Sequence, residues 1–134
     1  KRLGEDRAAY VQGLHLLAES RQKCGQGTSA VMLCREALRV LEKKYGAQHP
    51  FYANGLVKLG EILAAEKQYP AAAKQFTAAA RIQKEMLDED NPQYLDTLER
   101  LAEVCTKQGE YQAAIVHYLA KNDANFEETP NERL

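Results

Sequence analysis

The chain has 134 residues, 45% of them hydrophobic and 28% charged, and a formal net charge of −1 gives it no global pull toward nucleic acid or anionic lipid. No run of about 18 apolar residues occurs, so no membrane-inserting helix is expected. Four prolines, no tryptophan and an abundance of Ala, Leu, Glu, Lys and Gln favour an all-α chain.

The first amphipathic pattern runs from about Arg7 through Cys24 and breaks at Gly25-Gln26-Gly27. A second continues from Thr28 to Tyr45, with Thr28 or Ser29 as candidate N-cap and Gly46 as the stop. The third opens at His49-Pro50, because proline at the first helical position wastes no donor and pushes the residue before it out of helical geometry. Leu56, Leu59, Ile62 and Leu63 are its apolar stripe, and it should end near Glu66. Pro70 starts the fourth, with Ala72, Ala73, Phe76, Ala79, Ala80 and Ile82 as the buried face, fading at Leu87-Asp88. Pro92 opens the fifth, where Leu95, Leu98, Leu101 and Val104 line up and Gly109 closes the helix. Tyr111, Ala114, Ile115 and Tyr118 line the sixth.

These six segments form three copies of a two-helix block that recurs every 42 residues. His49-Pro50 returns as Asn91-Pro92; Leu14, Leu17 and Ala18 return as Leu56, Leu59 and Gly60, then as Leu98, Leu101 and Ala102. Ala30, Ala72 and Ala114 hold one offset, and Cys34, Phe76 and Tyr118 another. A fixed period in this range implies stacked helix pairs rather than one central core. The reading is a single domain over 1–134 with repeats at about 8–49, 50–91 and 92–133. Small residues at Ala18, Gly60 and Ala102 allow the two helices of a unit to approach, with Ala30, Ala72 and Ala114 facing them. Residues 1–7 resemble the linker of a preceding repeat, Lys1 to Asp6 aligning with Lys43 to Gln48. Since the chain also opens on Lys1 rather than Met, a preceding repeat in a longer parent is expected. Lys121 and Asn122 replace small or apolar residues near the other end, as a polar cap would.

The pattern Leu-Gly/Ala, then Ala, then Phe/Tyr and Ala at fixed offsets resembles the tetratricopeptide repeat. The second unit supplies Leu56, Leu59, Gly60, Ala72, Phe76 and Ala79. The third supplies Leu98, Leu101, Ala102, Ala114 and Tyr118, departing at Lys121. The first supplies Leu14, Leu17, Ala18, Ala30, Cys34 and Ala37, departing at Arg21. The common form of that family has about 34 residues per unit. The longer unit and the linker Tyr45-Gly46-Ala47-Gln48-His49-Pro50 look like the repeats of kinesin light chains and related scaffolds. The resemblance implies a right-handed α-solenoid of three helix-turn-helix units.

It also implies a concave groove lined by the first helix of each unit. The groove offsets carry Gln12, His15, Glu19 and Lys23, then Asn54, Val57 and Glu61, then Asp96, Glu99, Glu103 and Lys107. Glu19, Glu61 and Glu103 share one offset, so three carboxylates stack along the floor, and a ligand carrying Lys or Arg would suit them. The competing reading is solvated helix-surface glutamates with lysine partners. The Lys and Asn positions with which chaperone-binding members clamp a terminal carboxylate hold His15, Val57 and Glu99, then Glu19, Glu61 and Glu103, so no such clamp is expected. The paired groove asparagines of kinesin light chains are replaced by Val57-Lys58 and Glu99-Arg100.

No catalytic, cofactor or metal constellation is legible. Cys24, Cys34 and Cys105 lack metal-type spacing and read as reduced core or half-buried thiols in a cytosolic setting. His49 reads as a cap, His117 as a neighbour of the Tyr118 core position, and His15 as facing the groove. Lys43-Lys44 and Arg81 to Lys84 are solvated basic clusters without interleaved aromatics for base stacking. The functional expectation is a non-catalytic interaction scaffold in a cytoplasmic adaptor, transport or cytoskeletal protein, binding a peptide or helix. Self-association, packing within the parent chain, or accessory duty beside a catalytic domain elsewhere are the alternatives.

Overall fold

A computed structural model describes residues 3–109 and 119–121, with side chains from Arg7 onward. Its five helices are α1 (Leu3–Lys23), α2 (Gly27–Tyr45), α3 (Pro50–Ala65), α4 (Tyr69–Met86) and α5 (Pro92–Lys107), and residues 119–121 are again helical. Among the described residues there is no strand. Each helix packs on the next in the chain, and α1 also touches α3. This nearest-neighbour order is that of an all-α, right-handed solenoid of helix-turn-helix units. Of the sixth-helix stripe, Tyr111, Ala114, Ile115 and Tyr118 lie outside the described residues.

Local chemistry places the helix ends. His49 and Asn91, one repeat apart, are N-caps: His49 Nδ1 accepts from the Phe51 N–H at 2.9 Å and Asn91 Oδ1 from the Gln93 N–H at 2.8 Å. Pro50 and Pro92 follow at the first helical position. Within each unit the turn is a left-handed C-terminal cap. Gly25, Lys67 and Gly109 occupy one repeat offset and have φ of +82°, +64° and +82°. The Gln26 N–H donates to the Arg21 carbonyl at 2.8 Å and the Gln68 N–H to Leu63 at 2.9 Å, which satisfies carbonyls the helix end would otherwise orphan.

Two boundaries differ from the sequence reading. α1 starts at Leu3, so Gly4 to Asp6 are helical where their counterparts Gly46 to Gln48 lie outside any helix. Ala8 stands at the offset of Pro50 and Pro92, and without proline nothing interrupts the helix there. α2 starts at Gly27 after Gln26 at the N-cap, with no side-chain capping bond, so neither Thr28 nor Ser29 caps it. Ser29 Oγ instead accepts from the Arg21 guanidinium.

The core follows the small-residue offsets. Ala18, Ala30, Ala72 and Ala79 are fully buried with Leu59, Leu63, Phe76 and Leu101, whereas Ala102 is half-buried. Gly60 lies against Phe76: a Cβ there would be 2.7 Å from the Phe76 ring. One unit earlier the same pair of offsets holds Ala18 and Cys34, both buried in the same cluster. The large Phe76 is thus met by glycine, and the smaller Cys34 by alanine.

Candidate functional site

Four offsets on the first helices advance by three or four residues and so share a face: Gln12, His15, Glu19 and Lys23 on α1; Asn54, Val57 and Glu61 on α3; Asp96, Glu99, Glu103 and Lys107 on α5. Gln12, His15 and Asn54 come together with Lys58 in a depression of about 410 Å³ between α1 and α3. Glu61, Glu103 and Lys107 come together with Arg100 in a smaller one of about 130 Å³ between α3 and α5. Val57 is half-buried against the core, and Lys23 is exposed at the end of α1.

The sequence reading placed Lys23 and Lys107 on this face and held lysine-paired glutamates as its competing reading, but it did not pair Lys58 and Arg100 with the glutamates. Lys58 Nζ lies 3.9 Å from Glu19, and Arg100 Nη1 lies 2.8 Å from Glu61. Lys58 and Arg100 share one repeat offset, so each reaches back to the glutamate of the preceding unit. Arg100 Nε also bonds Asp96 at 2.9 Å, Lys107 stands 4.0 Å from Glu103, and Lys121 pairs with Glu99. The carboxylate row is therefore interleaved with basic groups. Glu61 is the most covered of the three repeated glutamates and Glu103 the most exposed. Exposed pairs of this kind contribute about 0–1 kcal/mol each, so their main effect is on local potential rather than stability. The matched spacing of Lys58 and Arg100, each three residues before a glutamate of the row (Glu61 and Glu103), was the available signal.

His15 sits beside this row. Its Nε2 is buried without a hydrogen-bond partner, and burial, aided by the Lys58 charge and opposed by Glu19, lowers its pKa below the ordinary value. The imidazole is thus neutral at physiological pH. Burial, with Glu61 next, pushes the Cys34 thiol up to about 11, which leaves it protonated and unreactive. Cys34 and Cys105 are buried, but Cys24 is exposed rather than in the core. His49 is the expected cap, and His117 lies outside the described residues. Among the described residues no cluster of three or more His, Cys, Asp or Glu could hold a metal ion. No described helix is long and apolar enough to cross a membrane.

Stacked helix pairs with a continuous polar face on their first helices define a helical-repeat scaffold, a class that works through protein contacts. The profile of the tetratricopeptide repeat family matches residues 9–85 and again 51–119. The chain belongs to the tetratricopeptide repeat family, whose fold is typically a non-catalytic scaffold. In fold it is similar to two crystal structures of nearly identical TPR-like repeats, named for a kinesin light chain, from Podosopora anserina. One of these is a single-substitution variant. Both are 22% identical to this chain, with TM-scores of 0.75 and 0.74. The match covers 90% of this chain and 59% of each of theirs, so the chain spans less than two thirds of their length. None of the curated proteins compared with the chain matches it.

Proposed function

We propose that the α1–α3–α5 face binds an extended peptide or helix of another protein, and that the chain serves as a non-catalytic scaffold. The observation that carries this reading is the pair of depressions between consecutive first helices, which gather six of the predicted groove positions together with two ion partners, Lys58 and Arg100. The preference for Lys or Arg in the ligand belongs at the α5 end. There Asp96, Glu99 and Glu103 are exposed, and Glu103 holds its own lysine at only 4.0 Å. A ligand cation can displace Lys107 from Glu103 at little cost, whereas Glu61 is covered and held by Arg100. The fold shared with kinesin-light-chain repeats is the ground for placing the chain in a cytoplasmic adaptor, transport or cytoskeletal protein.

The test is a fixed-length peptide library, screened on the immobilised chain and read by sequencing the retained peptides. Retained peptides should be enriched in Lys and Arg, and reversal of Glu19, Glu61 and Glu103 to Lys should abolish retention. Retention unchanged in that triple variant, its helix content intact by circular dichroism, overturns the reading.

A further inference from the structure

A carboxylate held between a tyrosine and an arginine in the first unit has no counterpart in the second. There the Tyr10 hydroxyl donates to Glu36 at 3.3 Å, and the Arg39 guanidinium donates to both oxygens of the same carboxylate, at 2.7 and 3.0 Å. One repeat later the tyrosine and the arginine recur as Tyr52 and Arg81, but the glutamate is replaced by Ala78. Tyr52, Ala78 and Arg81 line a depression of about 350 Å³ between α3, α4 and the linker that precedes α3. Buried Leu56 and Ile82 also line it, as does exposed Lys74, at the offset where the first unit has Met32. Lys74 stands two turns before Arg81, about 10 Å along the helix. Among the described residues neither cation has an ion pair and the Tyr52 hydroxyl has no hydrogen-bond partner. Burial, with Glu42 next, raises the Tyr52 pKa above its ordinary value, so the hydroxyl keeps the proton it would donate. The depression lies inside the array: α2 packs on one side of the α3–α4 pair and α5 on the other. No predicted groove position lines it.

We propose that this depression binds an acidic segment of a partner protein, one Asp or Glu carboxylate taking on Tyr52 and Arg81 the place that Glu36 takes on Tyr10 and Arg39. The first unit is the template, because the same two residue types at the same offsets hold a carboxylate there. The arginine fork gives that contact its geometry, and Lys74 adds a point charge for a second acid. The segment therefore carries two acids about 10 Å apart, with an apolar residue between them over Leu56 and Ile82. This surface is opposite in sign to the α5 end of the groove, so the two sites select different ligands.

A fluorescein-labelled octapeptide of glutamates with one central leucine is titrated with the full 134-residue chain at low ionic strength and followed by anisotropy. Saturable binding is expected, weakened by roughly tenfold or more in Arg81→Gln and in Ala78→Glu. Ala78→Glu places the first unit's carboxylate within the chain, where it occupies Tyr52 and Arg81, so its melting temperature should be no lower than the parent's. Should that variant not fold, Arg81→Gln, at an exposed position, decides alone. Lys84→Gln, on the same helix but outside the depression, should bind as the parent does. No saturable binding by the folded chain overturns the proposal, as does binding that Arg81→Gln leaves unchanged or that Lys84→Gln weakens equally. Sedimentation equilibrium tests a second copy, whose exposed Asp88-Glu89-Asp90 turn is itself acidic: a dimer broken by Arg81→Gln overturns the partner protein. The charge reversals in the groove do not touch this depression, so either proposal can fail alone.

Discussion

Gln83 stands where Leu41 stands one repeat earlier, and it is 1% exposed with its Oε1 lacking a hydrogen-bond partner. An unpaired buried acceptor costs about 1–3 kcal/mol, and leucine fills nearly the same volume without it. Gln83→Leu should therefore raise the unfolding free energy by about 1 kcal/mol or more, read as a higher urea midpoint at unchanged m-value. His15 gives a pH signature. Its folded pKa is depressed, so the unfolded chain takes up a proton that the folded chain refuses. Its contribution is full above the ordinary histidine range and is lost as pH falls through that range toward the folded pKa. His15→Gln should melt with a smaller loss of Tm between pH 7.5 and 5.5 than the parent, as differential scanning calorimetry would measure. That His15 shares a helix face with Gln12 and Glu19 could be read from its offset, but the orphaned Nε2 could not. Which atom is covered depends on α3, more than 30 residues away in the chain.

The helices themselves carry predictions of opposite sign from one substitution. Gly13→Ala adds a methyl group to open space and should stabilise the chain by about 0.5–1 kcal/mol through helix propensity. Gly55→Ala drives the same methyl into Leu38 and Leu41 and should destabilise by about 1–3 kcal/mol. Parallel guanidinium titrations of the two variants would show the sign change. At the turns, Lys67 adopts φ of +64° at an offset where both other units use glycine. A left-handed conformation costs a non-glycine residue about 1–2 kcal/mol, so Lys67→Gly should raise the melting temperature despite removing a side chain. Helix ends were the most legible feature of the chain. Pro50, Pro92, Gly46 and Gly109 act within a few residues of themselves, and local sterics do not wait for tertiary contacts. The exceptions are instructive. Lys67 is forced into the glycine conformation by the helices it joins, and α1 runs through to Leu3 because Ala8 lacks the proline that would have stopped it.

At the scale of the whole molecule, the face of the first helices is an alternating charge row that spans units. Reversing Lys58 and Arg100 together to Glu removes two inter-unit ion pairs and sets like charges beside Glu19 and Glu61. The double variant should lose about 1–2 kcal/mol at low ionic strength and recover most of it in 1 M NaCl, where the screening length falls to about 3 Å. Chemical denaturation in urea at the two salt concentrations reads this directly. The sequence by itself determined the repeat length, the helical class, the turn positions and the offsets that face inward. Each of these depends on periodicity or on the dihedral preferences of single residues. Only the tertiary structure decided that Lys58 and Arg100 pair with glutamates of the preceding unit, that the Gln83 Oε1 is buried without a partner, and that Gly55 makes room for Leu38 and Leu41. Those outcomes depend on which side chains meet when one helix pair stacks on the next, a distance in space that spacing along the chain does not encode.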